Sequence, residues 1–218
     1  MPHSSNATFL VHVVHDGAAH PAIYKPLRGE RPLWDFEPGL HRREVAAYLL
    51  SEAIGVGVVP PTVLRDGPLG EGSLQWFVAA DHSQHYFTIY ENRPDLHGRL
   101  MDIAALDILA NNTDRKSGHC LLTPALAGAP SDVWAIDNGL CFAAEFKLRT
   151  VIWEFADEPI PHHLLEAAVR ICERVPLDVA ALLSDEEAEA ISGRAAWMVK
   201  ERTFPVDHSG RRYPWPLV

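Results

Sequence analysis

Three polar clusters in the sequence interrupt apolar stretches and could do chemistry. The first is Lys25, which follows the apolar run Ala22-Ile23-Tyr24 and precedes Pro26. Glu44, early in the next predicted helix, is a natural partner for an ammonium at the end of a buried strand. A strand lysine paired with a helix glutamate holds the α- and β-phosphates of ATP in kinase-like folds. The alternative is a surface lysine whose stem lies on apolar neighbours.

The second cluster is the polar stretch 111–119, which follows the most apolar helical segment of the chain and precedes Leu121-Leu122. Asp114 could accept a proton or orient a nucleophile, and His119 could bind a metal through a neutral imidazole. The alternative is an ordinary turn at the end of a helix, where asparagine and aspartate are common.

The third cluster is Asp137, which follows the short apolar run 133–136 and precedes Asn138-Gly139. A carboxylate at the end of a buried strand is well placed to bind a divalent cation. The alternative is a type I′ turn, since Asn-Gly is its strongest signal. Taken together, the three clusters follow the order in which a two-lobed kinase holds nucleotide, metal and acceptor.

The elements that must position these residues differ between the two halves of the chain. The first eighty residues predict the order strand, strand, helix, strand, strand, with turns at Asp16-Gly17 and 65–68. The predicted strands cover 8–14, 22–24, 62–64 and 74–79, and the predicted helix covers 42–54.

The second half is predicted to be mostly helical. It has a buried helix over 96–110, a strand over 133–136 and a helix through 164–172. Ser184 and Glu187 form a capping box that opens a last helix, and an extended tail covers 204–218. These patterns predict an α+β fold of the bilobal protein-kinase type, with a β-rich lobe over 1–80 and a helical lobe over 81–218.

Composition limits the compartment and the partners. The formal net charge of −10 opposes nonspecific binding to nucleic acid or to an anionic bilayer, and Arg42-Arg43 and Arg211-Arg212 are only pairs of cations. We therefore expect no nucleic-acid partner and no stable membrane association. The three cysteines form no Cys-x-x-Cys motif, and the N-terminus shows no secretory signal. A cytoplasmic protein is expected.

The same motifs resemble those of a known family. The segments 22–26, 43–50 and 59–62 resemble the ATP-lysine strand of type II phosphatidylinositol 4-kinases and the helix and strand after it. Residues 107–115 resemble their catalytic loop, and 136–140 resemble their metal-binding motif. Over nearly the whole chain, GERPLWDF, VPPTVLRDGPLG and KLRTVIWEF are similar to an actinobacterial phosphatidylinositol 3-/4-kinase-related family.

The resemblance implies a role for each matched position. Lys25 would contact the phosphates of ATP, Glu44 would hold that lysine, Asp114 would be the catalytic aspartate and Asp137 would bind a divalent metal, Mn²⁺ or Mg²⁺. Gln75, Trp76, Phe77 and Val78 would form the hinge that offers backbone groups to adenine. Ser4, Ser5 and Asn6 would occupy the place of the phosphate-covering loop.

Two features depart from the lipid kinases. The position five residues after the catalytic aspartate, which holds a metal-binding asparagine in that family, is His119 here, and an imidazole nitrogen shifts preference from Mg²⁺ towards Mn²⁺. The phosphate loop also lacks a glycine-rich run. The leading hypothesis is an ATP-dependent kinase acting on a protein, on itself or on a small molecule. A pseudokinase and a metal-dependent phosphoesterase are the alternatives.

Overall fold

A computed structural model describes residues 6–34, 36–126 and 128–217, so the predicted roles of Ser4 and Ser5 lie outside the described residues. Four antiparallel strands form one sheet in the order β1-β2-β4-β3, and two more form a separate hairpin. The strands are β1 Phe9–His15, β2 Ala18–Pro26, β3 Thr62–Gly67, β4 Gly70–Trp76, β5 Cys120–Thr123 and β6 Asp132–Ala135. The helices are α1 Leu40–Ala53, α2 Tyr86–Asn92, α3 His97–Ala110, α4 His162–Glu173, α5 Leu177–Ala180 and α6 Asp185–Glu201.

The first half has the predicted order of strands and helix. Asp16 and Gly17 both have positive φ, 48° and 78°, as the two-residue turn between β1 and β2 requires. The prediction of a turn over 65–68 was wrong. Cross-strand pairing continues to Gly67 opposite Gly70, so the turn is Pro68-Leu69 and both strands are longer than expected.

Helix α1 packs against the sheet and against the helical half of the chain. It begins after Gly39, whose φ of 117° is readily available only to glycine. Its Ala46, Ala47 and Leu50 are fully buried in the main core. This packing fixes the direction in which Glu44, on the same helix, can point.

The second half is built around α3, which is buried on almost all sides as its apolar sequence predicted. Helices α4 and α6 pack together, and α3 also contacts α6 and β6. The capping box of α6 is confirmed: the Glu187 N–H donates to Ser184 Oγ at 3.2 Å, and the Ser184 N–H donates to Glu187 Oε2 at 3.0 Å. The α+β architecture with a small antiparallel sheet and a helical C-terminal part therefore follows the prediction.

No helix in the described part of the chain is long and apolar enough to cross a membrane. The described cysteines form no disulfide, and Cys120 and Cys141 are buried whereas Cys172 is exposed.

Candidate active site

Lys25 is the centre of an ion-pair cluster between the sheet and the helical half. Its Nζ donates to Glu44 Oε1 and, at 2.8 Å, to Asp137 Oδ1. Glu44 is buried, and its second oxygen accepts the Asn138 N–H at 3.1 Å. Burial opposes the charge on Lys25, but the two carboxylates outweigh it and raise the pKa of that lysine. The interpretation of Lys25 as a surface lysine is therefore wrong.

Asp137 lies just after β6 in the left-handed region, with φ 58°. The Ile136 N–H donates to the His119 carbonyl at 3.0 Å, which places the end of this strand beside the loop that carries Asp114 and His119. The positive charge of Lys25, against the effect of desolvation, lowers the pKa of Asp137. Since 54% of its side chain is exposed, this carboxylate is ionised and open to a ligand.

Asp114 follows the end of α3 in a loop held by backbone and side-chain hydrogen bonds. Its N–H donates to Asn112 Oδ1 at 2.9 Å, and its Oδ2 pairs with Lys116 Nζ at 2.9 Å. Burial raises the pKa of Asp114, although Lys116 opposes the shift. A partly buried carboxylate of raised basicity is suited to accept a proton.

His119 lies beside Asp137 and lines the same cleft as Asp114. Its Nε2 is 3.4 Å from Asp137 Oδ2, and its Nδ1 accepts the Lys116 N–H at 3.4 Å. Desolvation lowers the pKa of His119 to about 4, so the ring is neutral at pH 7. A neutral imidazole beside a carboxylate could bind a metal or donate a hydrogen bond to Asp137.

Arg115 links the loop that carries Asp114 to the segment after β6 that carries Asp137, a structural role that was not predicted from the sequence. This fully buried guanidinium makes bonds of 2.8–3.1 Å to both oxygens of Asp107 and donates to the Ile136 carbonyl at 2.7 Å and to Asn138 Oδ1 at 2.6 Å. An arginine next to a candidate catalytic aspartate and a second aspartate within an apolar helix were the available signals.

A cleft of about 560 Å³ opens over these charged groups. Asn6, assigned to the phosphate loop, also lines it, and its Oδ1 accepts the Arg31 N–H at 2.9 Å. The other described residues on its wall include Thr8, Lys25, Pro26, Glu44, Asp114, Lys116, His119, Asp137 and Pro216.

A second cavity of about 460 Å³ adjoins the cleft and shares Lys25, His119 and Asp137 with it. Its remaining wall is mostly apolar and includes Ile23, Phe77, Val78, Leu121 and Ile136. The four predicted hinge residues all line this cavity. The strand assigned to 74–79 ends at Trp76, so Phe77 and Val78 form the connection that follows it.

The donor set fits a metal only in part. Among the described residues, no group of three or more His, Cys, Asp or Glu side chains could hold a metal ion by itself. Asp137 and His119 supply one carboxylate and one neutral nitrogen within 3.4 Å of each other, so a divalent ion held here would need further oxygen ligands. Nucleotide phosphates beside Lys25 would provide them.

No protein-family model matches the sequence. Protein Rv2133c of Mycobacterium tuberculosis (strain ATCC 25618 / H37Rv) is 35% identical over an alignment of 250 positions, which covers 98% of this chain and 88% of that protein. The chain belongs to the Rv2133c family. This agrees with the expected actinobacterial relationship, and the assignment to phosphatidylinositol kinases remains an interpretation of the motifs.

Solved structures define the fold of this Rv2133c family member. The Helicobacter pylori proinflammatory kinase CtkA superimposes with a TM-score of 0.55 over 92% of this chain and 90% of CtkA, at 11% identity. Hydra Fam20 with sugar gives a TM-score of 0.53 over 88% of this chain and 80% of that one, at 14% identity. At these identities the likeness shows the fold alone, which is kinase-like.

Proposed function

We propose that this protein is an ATP- and divalent-metal-dependent phosphotransferase related to the phosphatidylinositol 3-/4-kinase-like superfamily. The observation that carries the proposal is the bridge from Lys25 to both Glu44 and Asp137 at the floor of the cleft. A kinase-like fold with this ion-pair cluster holds the phosphates of a nucleotide between its two parts.

The two adjoining cavities match the two ends of ATP. The apolar cavity would take adenine, and the Val78 N–H, which donates to none of the described residues, would be a hydrogen-bond donor for the ring. The triphosphate would extend past Lys25 into the charged cleft. A bound divalent ion would neutralise phosphate charge, and Asp137 with His119 would hold it.

Asp114 would act on the acceptor. Its carboxylate accepts the proton of an acceptor hydroxyl while that oxygen bonds to the γ-phosphorus and the bond to the ADP oxygen breaks. Lys116, paired with Asp114 at 2.9 Å, keeps the carboxylate in place and faces the same cleft. The acceptor is a protein, this chain itself or a small molecule.

The experiment that tests this function is calorimetry with ATP and Mn²⁺. We expect saturable binding in the wild type and none in Asp137→Ala, because that change removes a metal ligand and leaves Lys25 with one partner. Asp66→Ala is the matched control, since Asp66 is an exposed carboxylate on β3. Equal binding by the wild type and Asp137→Ala would place the nucleotide elsewhere. Binding without any turnover would favour the pseudokinase.

His119 should set the metal preference. If its imidazole nitrogen is a ligand, Mn²⁺ will support ATP binding better than Mg²⁺, and His119→Asn will narrow the difference because an amide oxygen suits Mg²⁺. Calorimetric titrations of both proteins with each metal measure this. An unchanged preference in the variant would show that His119 only donates a hydrogen bond to Asp137.

Phosphatidylinositol should be a poor acceptor. The net charge of −10 repels an anionic bilayer at long range, and each cation near such a surface adds only about 1 kcal/mol of attraction. The measurement is transfer from radiolabelled ATP to phosphatidylinositol vesicles beside a vesicle-free control. Rapid labelling of the lipid that disappears in Asp114→Ala would return the protein to the lipid kinases.

A further inference from the structure

Two segments that are far apart in the sequence form a basic surface in an acidic protein. Residues 146–153 and 208–217 contain four of the 19 basic residues and none of the 29 acidic residues of the chain. The basic residues are Lys147, Arg149, Arg211 and Arg212. The whole chain has a net charge of −10, so without these four cations the remainder stands at −14.

Hydrogen bonds hold the two segments side by side. The Arg212 carbonyl accepts the Thr150 N–H at 3.1 Å and the Trp153 Nε1–H at 3.3 Å. The Arg212 guanidinium lies over the ring of Phe146, 5.0 Å from its centroid. We call this paired surface the basic strip, defined by residues 146–153 and 208–217.

The nearest carboxylates already have partners. Glu145 pairs with Lys147 at 3.5 Å, and Asp207 Oδ1 lies 4.0 Å from Arg212 Nε. Asp207 also accepts bonds from Ser209 and from the Arg212 N–H, and Glu154 accepts a hydrogen bond from the Tyr86 hydroxyl. Within the described part of the chain, no acidic side chain pairs with Arg149 or Arg211, which are both exposed. Arg149 and Arg211 therefore present the positive charge of the strip to solvent.

The basic strip reaches the candidate active site. The Ser117 N–H, in the loop that carries Asp114, donates to the Leu217 carbonyl at 2.8 Å. Pro216 lines the catalytic cleft together with Asp114 and Lys116, and its neighbour Trp215 is 88% exposed. The Arg149 carbonyl accepts the Arg115 N–H at 3.1 Å, so both segments of the strip adjoin the loop that carries Asp114.

We propose that the basic strip binds the anionic groups of a small, soluble acceptor that already carries phosphate, and holds its hydroxyl beside Asp114. Exposed guanidinium groups bind phosphate through paired hydrogen bonds. The acceptor is soluble rather than a lipid, because a bilayer would also face the surrounding acidic surface, whereas a small anion contacts only the strip. The acceptor role rests on the proposed phosphotransferase function, but anion binding at the strip does not.

The test is calorimetry with inositol hexakisphosphate as the soluble polyphosphate probe. Arg149→Glu/Arg211→Glu should weaken its binding about tenfold, since reversing exposed charges at a binding surface removes attraction and adds repulsion. The matched control is Arg170→Glu/Arg174→Glu, which makes the same charge change at exposed positions at the end of α4 and should bind within about twofold of the wild type.

Three outcomes would overturn the proposal. If Lys25→Met removes binding and the strip variant does not, the probe occupies the place of the ATP phosphates. If the wild type does not bind the probe, the strip is no anion site. If anionic phosphatidylserine vesicles bind the strip and the probe does not, the surface faces lipid. The phosphotransferase proposal is tested separately, because it fails if the titrations with ATP and Mn²⁺ show no binding at the proposed site.

Discussion

Asp114→Asn is expected to lower the rate of phosphoryl transfer about 10²- to 10⁴-fold while ATP and metal still bind, the usual contribution of a general base. The amide keeps the shape of the side chain and cannot accept the hydroxyl proton. Incubation with radiolabelled ATP measures the rate, with label counted on the protein, in small molecules and in inorganic phosphate. Asp66→Asn, an exposed aspartate on β3, is the control.

The pH dependence of the transfer rate is a second test of the role of Asp114. Burial raises the pKa of Asp114, so the carboxylate should become protonated at a higher pH than an ordinary aspartate. Transfer should be full above that pKa and should fall as the pH drops through it. If the transfer rate of Asp114→Asn still falls at the same low pH, another group accepts the hydroxyl proton. The same conclusion would follow if the variant were as fast as the wild type.

Arg115→Met is expected to lower the free energy of unfolding by roughly 3–5 kcal/mol, because it leaves the buried carboxylate of Asp107 without its charged partner. Asn112 Nδ2 and Thr150 Oγ1 would still donate to that carboxylate, at 3.1 and 3.3 Å, but neither carries charge. Chemical denaturation of both proteins measures the difference.

The control for Arg115 is Arg170→Met, which removes an exposed arginine on α4. We expect that variant to lie within about 0.5 kcal/mol of the wild type, as surface changes usually do. Arg115→Met/Asp107→Leu should recover part of the loss, because it removes the stranded charge as well. A single variant as stable as the wild type would show that Asp107 is satisfied without Arg115.

Much of the fold was readable from local patterns. The Asp16-Gly17 turn, the helix that carries Glu44 and the capping box at Ser184 all form where the sequence predicts them, because each depends on contacts within a few residues. The prediction of a turn at 65–68 was wrong because pairing with a distant strand, which is not a local property, decided the structure there. Glycines usually mark turns, yet Gly70 and Gly72 lie in β4, and a side chain at 72 would be 2.5 Å from the Lys25 carbonyl of the neighbouring strand.

The residue types of the site could be predicted from the sequence, but its full geometry could not. Lys25, Glu44 and Asp137 were predicted from their order along the chain, and the structure brings all three into one cluster. Their catalytic roles, and the division into lobes at residue 80, stay predictions. The position of Asp107 beneath the loop could not be foreseen, because an aspartate on a mostly apolar helix does not reveal which distant cation it meets.

The sequence by itself determined the kinase-like order of elements and the identity of the charged residues, since periodicity, turn chemistry and motif spacing are local properties. Only the tertiary structure decided that Arg43 is buried against Glu187 whereas Arg211-Arg212 lies beside the segment that carries Lys147 and Arg149. In the sequence these were two similar pairs of cations. Their difference arises because long-range packing, which depends on the whole chain, sets the burial and neighbours of each charge.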